Sequence, residues 1–541
     1  MKQSSACFYA TATILTLDSQ VRLRTSYTTQ NRHWTRTSYT SRQPLSNLRQ
    51  IAYATAFWLI LSLGVPFSSA AQQPGEQRYE DVSVMPGGIM GERIQAVIGA
   101  VNANDAGAVA SFIEQHCSPE FRDMAPMEMH ANAFLSVFQS TGGIRFHSIR
   151  NYVPERRETV VILKDELLGS WSAFSFYLEG EEQLINGLNF SPARTPTNVA
   201  PELITEAGLA PKLEQLLQRL CERDAFSGTV LVAKGDEVVF TRACGEASKR
   251  FHVANKLDTK FNLGSMNKMF TATAILQLVE KGKVALDDPI SKYVDESWLP
   301  KSITDKVTVH HLLTHTSGLG SYFNDTYWNG SRELYRSVED FKPLVQGETL
   351  SFEPGERFGY SNTGMLLLGV VIQSATGQDY FDYIRKNIYR PAGMINSDSY
   401  EMDFPVENLA IGYVPAPNSP WKWENNLYKH VIKGGPAGGG FSTVEDLFRF
   451  ARALQSGKLV SKTSLDKLWT AHTDRYGYGF SVENGPAGKV VGHSGGFPGL
   501  NGNLDIFLDK GYTVAVLSNY DNGASPLARR IYELIGGIQE E

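Results

Sequence analysis

Residues 261–282 read FNLGSMNKMFTATAILQLVEKG, and this segment decides which fold the rest of the chain is expected to adopt. Its apolar positions, from Met269 to Leu278, predict a buried helix that begins at Ser265. Residues three apart share a helix face, so we expect Lys268 to lie against the Ser265 hydroxyl. A lysine in an apolar site can lose its proton and accept one from serine, and a helix N-terminus offers N–H groups to an oxyanion.

Two other segments carry groups that such a serine needs. Tyr360 and Asn362, in FEPGERFGYSNTGMLLLGVVIQ, are expected on a loop just ahead of an apolar helix. There the phenol can relay protons, and the amide can hold a substrate carbonyl or the lysine. His493 leaves a predicted strand, and Gly495 and Gly496 behind it allow the backbone to approach a substrate. The Gly496 N–H is a candidate second oxyanion donor.

Each segment alone is a weak signal, since S-x-x-K recurs at Ser464 and Y-x-N recurs at Tyr520. In the order S-x-x-K, Y-S-N and H-S-G-G, however, they resemble the motif set of serine β-lactamases and penicillin-binding-protein-type hydrolases, in the class C-like branch. The segments VTVHHLLTHTSGL and SGGFPGLNGNLDIF resemble that branch as well. The resemblance covers residues 202–541.

This resemblance implies a β-lactamase/transpeptidase-like α+β fold, in which helices and a helical subdomain flank an antiparallel sheet. It implies Ser265 as the nucleophile and Lys268 and Tyr360 as general bases, and it leaves open which of the two takes the serine proton. Asn362 would orient the substrate, and the backbone amides of Ser265 and Gly496 would form the oxyanion hole. The substrate would be a small molecule or a peptide, and no cofactor is implied.

One departure from the family pattern bears on the substrate. Enzymes that bind the carboxylate of penicillin commonly have Lys-Thr-Gly or Lys-Ser-Gly as the third element, whereas His493 stands here in place of the lysine. Histidine is mostly neutral near pH 7. We expect His493, Gly495 and Gly496 to contact substrate, and we rank ester or amide hydrolysis, D-amino-acid peptides included, above efficient β-lactam turnover. A true class C-like β-lactamase or DD-peptidase stays open, as does a penicillin-recognising sensor that is acylated without turnover.

The strand patterns predict how the second unit is built. Two of them, at Gly228–Ala233 and Glu237–Ala243, lie near its start, and four more follow residue 477. The segment between them is mainly helical. We therefore predict one antiparallel sheet made from both ends of the unit, with a helical insert.

A smaller unit is expected at residues 81–193. Helical periodicity near its start precedes four extended runs, which predicts an α+β unit. The element order and the stretch VNANDAGAVASFIEQHCSPEF weakly resemble the nuclear-transport-factor-2-like cone. Some such cones hold an acid/base pair, and Asp105, His116 and His147 are available for one. Asp105 is more simply read as a helix cap.

Two rival patterns are disfavoured by the sequence. Gly492–Gly496 matches G-x-S-x-G, the α/β-hydrolase elbow with Ser494 as nucleophile, but that fold needs a later histidine and none follows. His310, His311 and His315 are spaced like metal ligands, yet no carboxylate or cysteine joins them, so we expect no metal. We expect His315 to hydrogen-bond within the THTSGL turn instead.

Charge argues against nucleic-acid and membrane partners. The chain of 541 residues has 51 Lys+Arg and 57 Asp+Glu, a formal charge of −6. Residues 1–50 hold seven of the basic residues and one Asp, so without them the charge becomes about −12. A protein this acidic is a poor ligand for polyanions. We expect no nucleic-acid partner and no membrane contact beyond an export signal.

Residues 49–71, RQIAYATAFWLILSLGVPFSSAA, have the layout of a secretory signal peptide: a basic residue, an apolar run and small residues at the end. We therefore expect a secreted or periplasmic bacterial protein. Residues 1–48 are expected to be an unstructured extension, which a start codon assigned too far upstream would explain. Export permits a Cys221–Cys244 bridge, and unpaired buried cysteines are the alternative.

Overall fold

The computed structural model describes residues 78–200, 202–416, 422–473 and 475–539. The predicted extension and signal peptide, residues 1–71, lie outside these ranges. Within the ranges, every helix is too short or too polar to span a bilayer.

The N-terminal elements form a five-stranded antiparallel sheet with four helices. The sheet has the order β1-β2-β3-β4-β5, so that each strand pairs with its neighbour in the chain. In chain order the elements are β1 (Arg78–Val82), α1 (Gly88–Asn102), α2 (Ala106–His116), α3 (Pro119–Asp123), α4 (Met127–Thr141), β2 (Ile144–Val153), β3 (Thr159–Asp165), β4 (Trp171–Glu179) and β5 (Leu184–Pro192). The Asp105 carboxylate caps α2 by accepting from the Ala108 N–H at 2.8 Å.

The C-terminal elements surround a six-stranded antiparallel sheet. Its order is β14-β15-β16-β17-β6-β7, which joins strands from both ends of the unit through the pairing of β17 with β6. The strands of this sheet are β6 (Gly228–Lys234), β7 (Glu237–Cys244), β14 (Ser481–Gly485), β15 (Gly488–Phe497), β16 (Leu500–Phe507) and β17 (Tyr512–Ser518). The predicted α+β fold, with one sheet built from both ends, is confirmed.

Helices and short strands fill the remainder of this unit. The helices are α5 (Glu206–Glu222), α6 (Asn267–Glu280), α7 (Lys301–Thr304), α8 (Val309–Leu313), α9 (Asp325–Asn329), α10 (Lys342–Val345), α11 (Asn362–Thr376), α12 (Tyr380–Ile384), α13 (Arg390–Ala392), α14 (Val444–Gln455), α15 (Lys462–Leu468) and α16 (Ser525–Gly536). The short strands are β8 (Glu246–Ser248), β9 (Val253–Ala254), β10 (Phe261–Asn262), β11 (Tyr413–Ala416), β12 (Lys422–Asn425) and β13 (Phe441–Ser442).

Both faces of the six-stranded sheet are covered, and the alternation along β6 shows how. Val230 and Val232 pack with the apolar faces of α5 and α16. Leu231 and Ala233 point to the opposite face, where they pack with α6 and the helical insert. Successive side chains of a strand point to opposite faces, so an almost continuous apolar run is what a doubly covered strand requires. The same layering places α6, and Ser265 ahead of it, against the sheet.

The structure resolves the question about the cysteines. Cys221 at the end of α5 and Cys244 at the end of β7 are joined by a disulfide bond, and Cys117 is a buried free thiol.

A buried ion pair ties the N-terminal sheet to the segment that follows it. Arg150 on β2 donates to both carboxylate oxygens of Asp81 on β1, at 2.9 and 3.1 Å, and both side chains are almost wholly buried. The Thr197 N–H donates to the same carboxylate at 2.8 Å. The segment after β5 is therefore held against β1.

We expect Asp81→Ala to destabilise the β1–β2 pair by about 3–5 kcal/mol, because it leaves the Arg150 guanidinium buried without its counter-charge. Hydrogen exchange of the β1 and β2 amides measures this opening free energy. The double variant Asp81→Leu/Arg150→Met removes both charges and should lose far less. Equal losses in the two variants would show that packing, and not the uncompensated charge, carries the effect.

Candidate active site

Ser265 lies on a 3₁₀ turn, Gly264–Met266, that leads directly into α6. The helix therefore begins two residues after the predicted start. Gly264 has a φ of +49°, and its N–H donates to the Asn262 side chain at 2.9 Å. A Cβ at Gly264 would lie 3.0 Å from the Gly496 nitrogen, so glycine is needed for β15 to approach this closely.

Lys268 follows one turn later and is completely buried. Its Nζ lies 3.0 Å from Ser265 Oγ, 2.9 Å from Asn362 Oδ1 and 2.6 Å from the Ala437 carbonyl oxygen. Burial holds the pKa of this amine well below its ordinary value of 10.5. A neutral amine fits these contacts, because its two N–H groups can serve the amide and carbonyl oxygens while its lone pair faces the serine hydroxyl.

Tyr360 completes the cluster from the second segment. Its ring centroid lies 4.9 Å from Lys268 Nζ. Burial raises the pKa of the phenol, and its interaction with the Ser265 side chain opposes that rise. The phenol is therefore protonated at neutral pH, whereas burial favours the neutral form of the amine beside it.

Asn362 is the first residue of α11, whose N-cap is Ser361. The Ser361 hydroxyl accepts from the Gly364 N–H at 2.8 Å and donates to the Gly320 carbonyl at 2.8 Å. These bonds fix the start of the helix, so that the Asn362 amide spans Lys268 on one side and the Ser321 hydroxyl, at 3.1 Å, on the other. The amide oxygen therefore accepts from Lys268, and the Asn362 side chain also lines the cavity in front of Ser265.

Gly495 and Gly496 run along β15 beside the serine. A Cβ on Gly495 would lie 1.9 Å from the Leu263 carbonyl oxygen and 3.1 Å from the Ser265 nitrogen. A larger residue here would push the strand away from Ser265. The structure thus brings the backbone nitrogens of Ser265 and Gly496, the two predicted oxyanion donors, to the same small region.

His493 does not reach this region with its side chain. The ring is buried, its Nε2 lies 2.9 Å from the Tyr476 hydroxyl, and its Nδ1 contacts the Ser494 carbonyl. Burial lowers the pKa of His493 to about 3, so it is neutral. It does not line the cavity in front of Ser265, and its contact with substrate stays a prediction.

A cavity with about 470 Å³ of empty space, which includes open solvent at its mouth, lies in front of Ser265. Its walls include Phe323, Tyr327 and Phe497, and the rings of Phe323 and Phe497 lie 5.5 Å apart. Burial lowers the pKa of His430, also in the wall, to about 4. Among the residues described, no Lys, Arg, Asp or Glu lines this cavity, and no group of three or more His, Cys, Asp or Glu is placed to hold a metal ion. The cavity is apolar, aromatic and uncharged at neutral pH.

Two contributors to the site were missed in the sequence. The Ala437 carbonyl, in the glycine-rich segment 434–443, accepts from Lys268, and backbone groups leave no mark in a motif. His315 bonds to Ser361 and to Tyr476, at 3.1 and 3.2 Å, and not within its own turn as we expected. The motif HTSGL indicated His315 but not its partners, because Ser361 and Tyr476 come from distant segments of the chain.

Comparison with known proteins agrees with this geometry. The model of the beta-lactamase family matches residues 212–536. The chain belongs to this family. Penicillin-binding protein 4* of Bacillus subtilis (strain 168) is 34% identical over 325 residues, 57% of this chain and 71% of the relative. The predicted kinship with serine β-lactamases and penicillin-binding proteins is confirmed, and it makes the chain a member of a serine hydrolase family.

Solved structures of the family share the fold. A penicillin-binding protein from Bacillus halodurans is 33% identical and superposes with a TM-score of 0.54, over 59% of this chain and 97% of its own. The octameric penicillin-binding protein homologue from Pyrococcus abyssi is 29% identical, with a TM-score of 0.52 over 61% of this chain and 77% of its own. The likeness of residues 81–193 to the nuclear-transport-factor-2-like cone stays a prediction.

The lowered pKa of the buried Lys268 amine has a consequence for stability. Between its lowered folded pKa and 10.5, the unfolded chain binds a proton that the folded protein does not, so stability rises with pH. We expect the unfolding free energy of the wild type, minus that of Lys268→Met, to rise by up to about 1.4 kcal/mol per pH unit in this window. Chemical unfolding at several alkaline pH values measures it. A flat difference would mean that the folded lysine keeps its proton.

Proposed function

We propose that this protein is an exported serine hydrolase that acts through an acyl-enzyme at Ser265 on ester or amide bonds, D-amino-acid peptides included. The observation that carries the proposal is the contact between Ser265 Oγ and the buried Lys268 amine at 3.0 Å. A neutral amine at that distance can remove the hydroxyl proton as the serine attacks.

Acylation then runs as follows. Ser265 Oγ forms a bond to the acyl carbon while its proton passes to Lys268 Nζ. The carbonyl oxygen becomes an oxyanion, which the N–H groups of Ser265 and Gly496 receive. As the tetrahedral adduct collapses, the bond to the leaving group breaks, the Tyr360 phenol gives its proton to that group, and the proton on Lys268 replaces it.

Deacylation uses the same groups in reverse. A water molecule gives one proton to the Tyr360–Lys268 pair and attacks the acyl carbon, and Ser265 Oγ leaves and regains a proton. The directions of the two pKa values support this assignment, because burial favours the neutral form of the amine and the protonated form of the phenol. We therefore take Lys268 as the base in acylation and Tyr360 as the proton donor to the leaving group.

The cavity supports a neutral, apolar acyl group as the preferred substrate. Phe323, Tyr327 and Phe497 present aromatic surface beside Ser265, and the described wall offers no cation to a substrate carboxylate. Burial of an aromatic ring among such side chains is favourable, whereas an unpaired carboxylate there would cost solvation free energy. This ranks ester and amide hydrolysis above β-lactam turnover or DD-peptidase activity.

Export is part of the proposal, on the strength of the signal-like residues 49–71. The bond between Cys221 and Cys244 supports an oxidising compartment, where such bridges persist. We also propose that the N-terminal five-stranded sheet and its helices are an accessory unit of cone type.

We expect a fluorophosphonate probe to add one adduct to the protein, and peptide mass mapping to place it on Ser265. Ser265→Ala should abolish labelling, and Lys268→Met should slow it by at least about a hundredfold, because the proton acceptor is lost. The matched controls are Ser464→Ala and Ser494→Ala, which remove the serines of the second S-x-x-K and of G-x-S-x-G. An adduct on either of those serines would refute the assignment.

We expect the highest kcat/KM on p-nitrophenyl esters or D-amino-acid amides with an aromatic acyl group, and at least about tenfold less on the same compounds carrying a free carboxylate on the acyl part. Turnover of a chromogenic cephalosporin should be slower still. A cephalosporin rate above the ester and amide rates would overturn the ranking. A single stoichiometric burst without further product would favour a penicillin-recognising sensor that is acylated without turnover.

A further inference from the structure

A row of four hydrogen bonds runs behind the candidate active site. The Ser361 N–H donates to His315 Nδ1 at 3.1 Å, and His315 Nε2 lies 3.2 Å from the Tyr476 hydroxyl. That hydroxyl lies 2.9 Å from His493 Nε2, and His493 Nδ1 contacts the Ser494 carbonyl. The three side chains between the ends are all buried. The row joins the segment of Tyr360 to the strand that carries Gly496.

Each proton in this row has one possible place. The Ser361 N–H is a donor, so His315 Nδ1 accepts, and the proton of the imidazole is on Nε2. That proton goes to the Tyr476 oxygen, whose own proton is then left for His493 Nε2. The His493 proton must be on Nδ1, where the Ser494 carbonyl accepts it. The row is therefore satisfied throughout with two neutral imidazoles, and it has a single direction.

His315 also holds the chain on both sides of Tyr360. The Gly359 N–H donates to the His315 carbonyl at 2.7 Å, and the Ser361 N–H donates to its ring. Between these two bonds the Tyr360 ring packs on the His315 ring, with centroids 4.4 Å apart and planes inclined by 38°. His315 has a φ of +56°, a conformation that side-chain-bearing residues seldom adopt.

We propose that His315 and Tyr476 are positioning residues, which hold the Tyr360 phenol at a set place relative to the Gly496 N–H by means of this one-directional row. The inference rests on the proposed function, in which those two groups serve the same reacting carbonyl. It also gives His493 a role, because Nε2 of its ring accepts the hydrogen bond from the Tyr476 hydroxyl. A lysine at that position would present donors only, and the Tyr476 proton would have no partner there.

The central test is Tyr476→Phe, which keeps the ring and removes both of its hydrogen bonds. The matched control is Tyr478→Phe, two residues away, which removes a comparable bond from a buried tyrosine hydroxyl to His310 Nδ1 at 2.8 Å, outside the site. We expect Tyr476→Phe to lower kcat and the second-order rate of fluorophosphonate labelling by about tenfold or more, with KM within about twofold. Tyr478→Phe should retain the wild-type rates.

Substitutions at the two histidines test the direction of the row. His493→Gln offers a side-chain oxygen to the Tyr476 proton and should keep kcat within about threefold, whereas His493→Leu should fall as far as Tyr476→Phe. His315→Asn keeps an acceptor for Ser361 but loses the bond to Tyr476, so it should fall as Tyr476→Phe does. It serves as the second variant should Tyr476→Phe not fold, with thermal unfolding as the check on folding in every case.

The outcomes are distinguishable. The inference stands if kcat alone falls in folded Tyr476→Phe or His315→Asn, and if His493→Gln keeps the kcat that His493→Leu loses. It is overturned if folded Tyr476→Phe or His315→Asn keeps the wild-type kcat, if KM and kcat worsen together in these variants, if Tyr478→Phe loses as much kcat as Tyr476→Phe, or if glutamine and leucine at 493 behave alike. The proposed function fails separately, if Ser265→Ala still takes up the probe.

Discussion

The Lys268 amine is held without solvent among three oxygen atoms, and much of the surrounding structure keeps it there. Its neighbours are the Ser265 hydroxyl, the Asn362 amide and the Ala437 carbonyl. A fully buried amine loses its hydration, so burial favours the neutral form, whose lone pair can accept a proton. The same burial raises the pKa of the Tyr360 phenol next to it, which favours its protonated form. One physical cause, exclusion of water, thus makes two side chains into an acceptor and a donor of protons.

Glycines at the turn of Ser265 and on β15 allow the sheet to approach the serine closely. β15 passes so close to the turn of Ser265 that a Cβ at Gly264 or Gly495 would meet backbone atoms. The approach brings two backbone nitrogens near each other without any side chain between them, which is the geometry that an oxyanion needs. Behind the site, the row from Ser361 to Ser494 connects the two segments whose spacing matters. The front of the site is left to aromatic rings, which favour neutral acyl groups.

The prediction from sequence succeeded where a pattern is local. The apolar period of α6, the cap at Asp105 and the strands of the six-stranded sheet follow from residues a few positions apart, and their elements are confirmed to within a few residues. It was less accurate where the chain turns. The predicted helix start at Ser265 is a 3₁₀ turn. The strands predicted after residue 477 begin only at Ser481, where β14 starts, because the Gly477 and Gly479 backbone packs against distant groups.

Read alone, the sequence determined the family, the fold class and the three side chains that meet in the site, those of Ser265, Lys268 and Tyr360. Ordered motifs and apolar periodicity can be recognised in the sequence itself. The tertiary structure alone decided in which direction burial moves the pKa values of Lys268 and Tyr360, that Ala437 contributes a carbonyl, that Cys221 and Cys244 are joined, and that His493 turns toward Tyr476. Each of these depends on burial or on contacts between segments tens to hundreds of residues apart. Such contacts arise from packing in space, and no local spacing records them.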